Sequence, residues 1–128
     1  PFLLEILKKR FQSWGYDVQA MTHGKAGLGW ALNNEIGLVV LDIGLPDISG
    51  YRVCEELRKK FGRELPILML TAFDQPKDQL NGFSRGADAY LTKPYDTEEL
   101  RKTVELLLNP RYPERLDSDV TRKLLLGF

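Results

Sequence analysis

The sequence has few of the residues that most often build metal, redox and nucleic-acid sites. Its 128 residues include one cysteine, Cys54, and one histidine, His23, which excludes an internal disulfide, a CxxC motif and a Cys/His metal cluster. Basic and acidic residues number 18 each, without the basic excess typical of nucleic-acid-binding domains. No apolar run approaches the ~20 residues that span a bilayer, and no signal-peptide pattern opens the sequence. We expect a cytoplasmic, single-domain protein that binds neither nucleic acid nor membrane.

The segment GLVVLDIGLPDISGY, residues 37–51, carries the strongest pattern in the chain. Its uninterrupted apolar run, residues 38–41, predicts a strand buried on both faces, because a half-buried strand would alternate polar and apolar side chains. Asp42 ends the run, and a loop rich in Gly, Pro and Asp leads to a helix near Tyr51. Open α/β sheets place their chemistry at the carboxyl ends of such strands. The alternative is an aspartate that only caps the turn.

Helical and strand patterns alternate along the rest of the chain. The apolar spacing predicts helices over 2–14, 25–34, 51–61 and 76–85 and after Asp96, and strands over 16–21, 38–41, 67–70 and 89–91. This alternation favours right-handed βαβ crossovers and a parallel sheet covered on both faces. We expect Leu80 and Phe83 to face the core, and the basic run 58–60 to form a solvated helix face.

Three of the predicted strands lead into polar residues that can act together. Asp42 follows LVVL, Thr71 follows ILML, and Lys93 follows AYLT. In a parallel sheet these ends lie along one edge, so the three side chains can converge. The group suits phosphoryl transfer, with the aspartate as nucleophile and the lysine and threonine binding phosphoryl oxygens. The alternative is a structural Asp–Lys ion pair beside a threonine that suits a strand end.

The segments VVLDIGLPDISGYRVCEELRK, PILMLTAFD and GADAYLTKPYDTEEL together resemble the CheY-like receiver domain of bacterial two-component response regulators. The resemblance runs from residue 2 to about residue 109. It implies a flavodoxin-like, doubly wound α/β fold whose five parallel strands lie in the order 2-1-3-4-5, flanked by helices. We therefore assign residues 1–109 to a receiver domain and residues 110–128 to a tail or linker.

The resemblance also implies roles for individual residues. Asp42 is the phosphoacceptor, receiving a phosphoryl group in a phosphorelay from a sensor histidine kinase or phosphotransfer protein, with Mg²⁺ assisting. Asp42 and the backbone carbonyl of Gly44 match metal ligands. Thr71 matches the switch hydroxyl and Lys93 the lysine of the site. A cis bond between Lys93 and Pro94 would aim that lysine into the site.

Phosphorylation of a receiver is expected to change its partner-binding face. Tyr90 matches the aromatic residue that moves inward with Thr71, and Phe73 occupies a position that tunes the access of water to the acyl phosphate. The face built by residues 74–108 then changes its partners, with a homodimer as one option. On this interpretation the chain is a signalling switch, not an enzyme in the ordinary sense.

The chain departs from the family at its start. The family's first strand, which is central in the sheet, and the acidic pair that follows it have no counterpart before the first helix. Without that pair, Mg²⁺ lacks ligands, and without the strand its neighbours stand about 10 Å apart. KLLLGF, residues 123–128, is apolar enough to be a strand but has no acidic pair. We expect a longer natural protein that supplies both features, or alternatively another chain that fills the gap.

Three other functions are consistent with parts of the pattern. A pseudo-receiver would keep the fold as a protein-interaction module and never be phosphorylated; the missing acidic pair favours it, and the set Asp42, Thr71 and Lys93 disfavours it. An aspartyl phosphohydrolase of the DxD type is disfavoured by Gly44 at the position of the second aspartate. A flavodoxin-like FMN binder would need a Ser/Thr/Gly-rich phosphate loop that is missing here.

Overall fold

A computed structural model describes residues 2–108 and 123–127, in which helices and strands alternate as the sequence predicts. In chain order the elements are α1 (Phe2–Ser13), β1 (Asp17–Met21), α2 (Gly24–Leu32), β2 (Leu38–Leu41), α3 (Gly50–Phe61), a 3₁₀ turn (Gly62–Glu64), β3 (Ile67–Thr71), α4 (Pro76–Ser84), β4 (Ala89–Thr92), α5 (Thr97–Leu108) and β5 (Lys123–Gly127). None of the helices in this described part is long and apolar enough to cross a membrane.

The five strands form one parallel sheet in the order β1-β5-β2-β3-β4. With β5 in the second position, between β1 and β2, where the family has its first strand, this is the 2-1-3-4-5 arrangement that the resemblance implies. The doubly wound α/β fold is therefore confirmed. The carboxyl ends of β2, β3 and β4 lie side by side, which brings together the residues that follow them.

The structure differs most from the sequence interpretation in the strand between β1 and β2, which is β5. The sequence offered no convincing replacement for the family's first strand, yet β5 pairs with β1 on one side and β2 on the other. Leu125, for example, lies opposite Gln19 and Val39. The chain itself thus fills the expected gap, and residues 123–127 belong to the sheet rather than to a linker. The rest of the predicted tail, residues 109–122, lies outside the described residues.

Two apolar cores cover the two faces of the sheet, because successive side chains of a strand point to opposite faces. One core packs strand residues against α2 and α3 and includes Val39, Leu41, Met69, Leu125, Ala31, Val53 and Leu57. The other packs them against α1 and α5 and includes Val40, Leu68, Leu70, Leu126, Leu7, Phe11, Leu100 and Val104. Cys54 is buried in the first core, and burial raises the pKa of its thiol to about 11, which keeps the thiol protonated and inert.

Helix α4 lies at the periphery, contrary to the expectation that two of its apolar side chains face the core. Leu80 is 72% exposed and Phe83 is 45% exposed, and Gly82 is the buried residue of this helix. The wrong prediction arose because apolar spacing alone does not show whether a helix covers the sheet or projects from it. The outward leucine and phenylalanine leave α4 with an apolar outer surface.

Arg58 does not belong to the solvated basic face that the sequence predicts for residues 58–60. Its side chain is 11% exposed and donates to the carbonyl oxygens of Gly86 (2.8 Å), Gly62 and Leu65. It also forms an ion pair of 2.6 Å with Asp88. The guanidinium therefore joins the end of α3 to the start of β3 and the start of β4, because it can donate several hydrogen bonds at once.

Candidate functional site

Asp42 and Lys93 meet at the carboxyl edge of the sheet, as the sequence predicts. Lys93 Nζ lies 3.1 Å from Asp42 Oδ2, and both side chains remain partly accessible, at 30% and 20% exposure. The other carboxylate oxygen, Oδ1, accepts a hydrogen bond of 3.0 Å from the backbone N–H of Gly44. A carboxylate held in this way beside an ammonium group is oriented and stays open to a reactant from solvent.

Thr71 is the last residue of β3 and is fully buried. Its carbonyl oxygen accepts a 2.8 Å hydrogen bond from the backbone N–H of Lys93, which ties the end of β3 to the residue after β4. Its hydroxyl oxygen accepts a 3.3 Å hydrogen bond from the N–H of Phe73. The bond between Lys93 and Pro94 is cis, as the resemblance implies. The same edge thus carries the carboxylate, the hydroxyl and the ammonium.

Phe73 and Tyr90 connect this edge to the loop before α4. A Cβ atom built on Gly44 would lie 3.8 Å from Asp42 Oδ1 and 3.9 Å from Phe73 Cε1, so the carboxylate and the phenyl ring both lie beside Gly44. The Tyr90 hydroxyl donates a 2.7 Å hydrogen bond to the carbonyl oxygen of Phe73. Tyr90, the aromatic residue to which the resemblance assigns a role in switching, therefore contacts the loop that follows Thr71.

Gly50 is needed where the first turn of α3 packs against the backbone of Asp42 and Ile43. Its N–H donates a 2.9 Å hydrogen bond to the carbonyl oxygen of Ile43. A Cβ atom at this position would lie only 2.3 Å from the carbonyl oxygen of Asp42. Such a distance is a severe overlap with backbone, so the close approach requires glycine.

Asp47 fixes the loop between β2 and α3, a role that sequence reasoning missed. Its carboxylate accepts hydrogen bonds from the backbone N–H groups of Gly24 (2.7 Å), Lys25 (2.9 Å) and Ile48 (2.9 Å). It thereby caps the N-terminus of α2 from a position 23 residues further along the chain. A Pro-Asp pair in a loop predicts a turn, but nothing in a single sequence shows which distant helix an aspartate caps.

We predict that Asp47→Asn destabilises the protein at neutral pH and that the difference from the wild type shrinks in acid. Desolvation raises the pKa of Asp47, but the hydrogen bonds from Lys25, Gly24 and Ile48 outweigh it and lower the pKa to about 2. Because this is below the unfolded value of about 3.9, the stabilisation is complete above about pH 4 and lost as the pH falls towards 2. Urea unfolding measured across this range provides the test.

Asp17→Asn, at an exposed carboxylate where β1 begins, is the control for the loss of a negative charge. The interpretation of Asp47 requires that its variant, and not the control, converges on the wild type in acid. Parallel curves for the wild type and Asp47→Asn from pH 6 to pH 2 would contradict it.

The described residues do not make a complete Mg²⁺ site. They contain no group of three or more His, Cys, Asp or Glu side chains able to hold a metal ion. The candidate ligands at the edge are the carboxylate of Asp42 and the backbone carbonyl of Gly44. Strand β5, KLLLG, which lies between β1 and β2, carries no carboxylate and ends at Gly127 opposite Leu41. A hard divalent ion prefers more oxygen ligands than this set offers.

Comparisons with known proteins agree with the geometry. The family model described as "Response regulator receiver domain" matches residues 1–105. The chain is 39% identical over 109 residues to the DNA-binding dual master transcriptional regulator RpaA of Synechocystis sp., covering 84% of this chain and 45% of the relative. The chain thus spans less than half the length of that relative.

Two solved structures show the same fold. The non-phosphorylated HemR receiver domain from Leptospira biflexa has a TM-score of 0.79 and 32% identity, covering 88% of this chain and 90% of that one. The receiver domain of sensor histidine kinase PA1611 from Pseudomonas aeruginosa PAO1, with a magnesium ion coordinated in its active-site cleft, has a TM-score of 0.76 and 28% identity over 84% and 88% of the two chains. This chain belongs to the response regulator receiver domain family.

Proposed function

We propose that this chain is a phosphorylation-controlled switch in a phosphorelay. Asp42 accepts a phosphoryl group from a sensor histidine kinase or phosphotransfer protein. Thr71 and Lys93 bind the oxygens of that group, and the face built by residues 74–108 changes its partners in response. The observation that carries the proposal is the 3.1 Å contact between Asp42 and Lys93, residues 51 positions apart in the chain.

The transfer needs a nucleophile and a neutralising cation. A carboxylate oxygen of Asp42 attacks the phosphorus of the phosphohistidine, and the P–N bond breaks with its electron pair on nitrogen. The imidazole takes up a proton from water and leaves as the neutral ring. Lys93 exchanges its contact with the carboxylate for one with a phosphoryl oxygen, where its charge offsets the added negative charge. The acceptor is used up by each transfer until its acyl phosphate is hydrolysed, so we propose a switch and not a turnover enzyme.

A cleft beside Lys93 offers a contact surface for the phosphoryl donor. It has a volume of about 290 Å³, and its lining includes Ile6 and Arg10 of α1 and Tyr95 in the loop before α5. The apolar lining and the guanidinium suit a partner helix with apolar and acidic side chains. The donor would lie close to the phosphoacceptor, which a direct transfer requires.

The response to phosphorylation is proposed to run through Thr71 and Tyr90. A phosphoryl group on Asp42 offers the O–H of the buried threonine a charged acceptor, and the hydroxyl moves towards it together with the loop whose Phe73 N–H donates to the hydroxyl oxygen. Tyr90, whose hydroxyl already binds the carbonyl of Phe73, follows that loop. The equilibrium between two arrangements of the loop and α4 shifts accordingly. The exposed Leu80 and Phe83 give α4 an apolar surface for a partner or a second copy.

Treating the chain with phosphoramidate tests the proposal directly. We expect its intact mass to increase by one phosphoryl group, with the modification lost at alkaline pH as an acyl phosphate should be. Running the reaction with and without Mg²⁺ measures whether the incomplete ligand set described above is sufficient. If no phosphoryl group is gained under either condition, the proposed function is wrong and a pure interaction module remains.

We predict that Phe73→Ala shortens the lifetime of the phosphorylated state by a factor of up to about ten, which corresponds to ~1.4 kcal/mol in the barrier. The phenyl ring and the carboxylate both lie beside Gly44, and we expect removal of the ring to admit water to the acyl phosphate. Phe73→Leu keeps most of the bulk and is the control, with an expected lifetime close to that of the wild type. Mass spectrometry over time gives both rates, and equal rates in the two variants would argue against the shielding role.

A further inference from the structure

Tyr51 lies between the phosphoacceptor loop and α4. It occupies the first turn of α3, and its backbone N–H is capped by the side chain of Ser49 at 3.0 Å. Its hydroxyl donates a 3.0 Å hydrogen bond to the carbonyl oxygen of Asp78 in α4. A tyrosine on one helix thus binds the backbone of another, 27 positions away in sequence.

The ring of Tyr51 shares the inner side of α4 with the switch residue Tyr90. A Cβ atom built on Gly82 of α4 would lie 3.0 Å from Tyr90 Cδ2 and 3.8 Å from Tyr51 Cε1. Burial raises the pKa of Tyr90, and the nearby Tyr51 raises it further. The two phenols therefore form one cluster against α4, in which Gly82 leaves the space that the Tyr90 ring needs.

A second contact fixes Tyr51 to the other end of α4. The guanidinium of Arg85, which follows the helix, lies 5.7 Å from the centroid of the Tyr51 ring. Arg85 also forms an ion pair of 2.7 Å with Glu55 of α3. Tyr51 is thereby attached to α4 through a hydrogen bond near its start and a cation–π contact at its end.

The backbone on the N-terminal side of Tyr51 adjoins the backbone of Asp42. Gly50 directly precedes it and packs on Asp42 and Ile43, with its N–H bound to the carbonyl oxygen of Ile43 at 2.9 Å. A shift of the backbone after β2 therefore moves the first turn of α3. That turn carries the phenol that holds α4, so the path from Asp42 to α4 consists of close contacts throughout.

We propose that Tyr51 is a positioning residue that couples the backbone at Asp42 to helix α4, beside the connection through Thr71 and Tyr90. The inference rests on the proposed function, since it concerns how a change at Asp42 reaches the partner-binding face. Tyr51 sets the position that α4 adopts in response, because its hydroxyl and ring hold that helix at two points.

The test compares the response near Asp42 with the response at α4 in one spectrum. The probe is beryllofluoride with Mg²⁺, a mimic of an acyl phosphate, added to the full chain and to Tyr51→Phe. Amide chemical shifts of Gly44 and Thr71 report the site, and those of Gln79 and Gly82 report α4. In Tyr51→Phe we expect unchanged shifts at the site and shifts at α4 that are smaller by about half or more, since one of two routes is lost.

Tyr16→Phe is the matched control, because Tyr16 packs against the core on the other face of the sheet and does not line the cleft beside Lys93. It should respond as the wild type does. Arg85→Gln removes the cation–π contact without touching the phenol, and should reduce the α4 response on its own. The ratio of the two responses is independent of any general loss of stability, which a purely structural role would produce.

The possible results separate this inference from the function on which it rests. If the wild type responds at Gly44 and Thr71, and Tyr51→Phe and Arg85→Gln show the full α4 response, the coupling through Tyr51 is wrong and the proposed function stands. If the wild type shows no response at Gly44 and Thr71, both are overturned. A reduced α4 response in Tyr51→Phe with a full response in Tyr16→Phe supports the coupling.

Discussion

Asparagine in place of Asp42 is expected to reduce phosphorylation by phosphoramidate by at least about 100-fold, because a neutral amide is a far weaker nucleophile than a carboxylate. The substitution keeps the size of the side chain and an oxygen that can accept the hydrogen bond from Gly44. Lys93 loses its 3.1 Å contact with a negative charge. Because the size of the side chain and the hydrogen bond are kept, the variant separates the loss of the acceptor from a loss of fold. Intact-mass spectrometry gives the phosphorylated fraction over time.

Asp47→Asn is the control for this experiment. It lies in the same loop, but its carboxylate is bound by three backbone N–H groups at the start of α2 and in the loop itself. This variant should still gain one phosphoryl group. Should Asp42→Asn gain a phosphoryl group at the wild-type rate, another residue accepts it and the assignment from the sequence is wrong.

The parts of the fold that were predicted correctly depend on local pattern. The runs at residues 38–41 and 67–70 are apolar throughout, and such runs with turn signals at both ends are typical of strands buried on both faces. Asp42 and Lys93 could be placed near each other because parallel strands share one edge for their carboxyl ends. The shared edge of the parallel strands was therefore enough to predict that the two side chains lie together, and the structure shows them in contact.

The missed features depend on contacts between distant parts of the chain. The position of β5 in the sheet follows from its pairing with β1 and β2, and a run of leucines does not reveal its neighbours. Arg58 reads as one of three basic residues, and only the fold shows which of them meets the carbonyl oxygens of Gly62, Leu65 and Gly86. Local spacing carries no information about such partners.

The second large effect is expected on the free energy of unfolding, from substitutions in strand β5, which lies between β1 and β2. Replacing Leu125 and Leu126 together by alanine should lower the free energy of unfolding by roughly 4–10 kcal/mol, taking ~2–5 kcal/mol for each buried leucine. Both side chains are at most 2% exposed, and they lie in different cores, so the two losses should be nearly additive. A domain of this size is stable by only about 5–15 kcal/mol, and we therefore expect the double variant to be largely unfolded at room temperature.

Leu106→Ala provides the matched control, because that leucine is 71% exposed on α5; its effect should stay within about 0.5 kcal/mol. Urea unfolding followed by circular dichroism measures all three proteins. The large difference in the free energy of unfolding is expected from the topology of the sheet as well as from the loss of buried apolar surface. Strand β5 is the element that pairs with both β1 and β2, so weakening it separates α1, β1 and α2 from the half of the sheet that carries Asp42. A double variant as stable as the wild type would mean that residues 123–127 do not lie between β1 and β2.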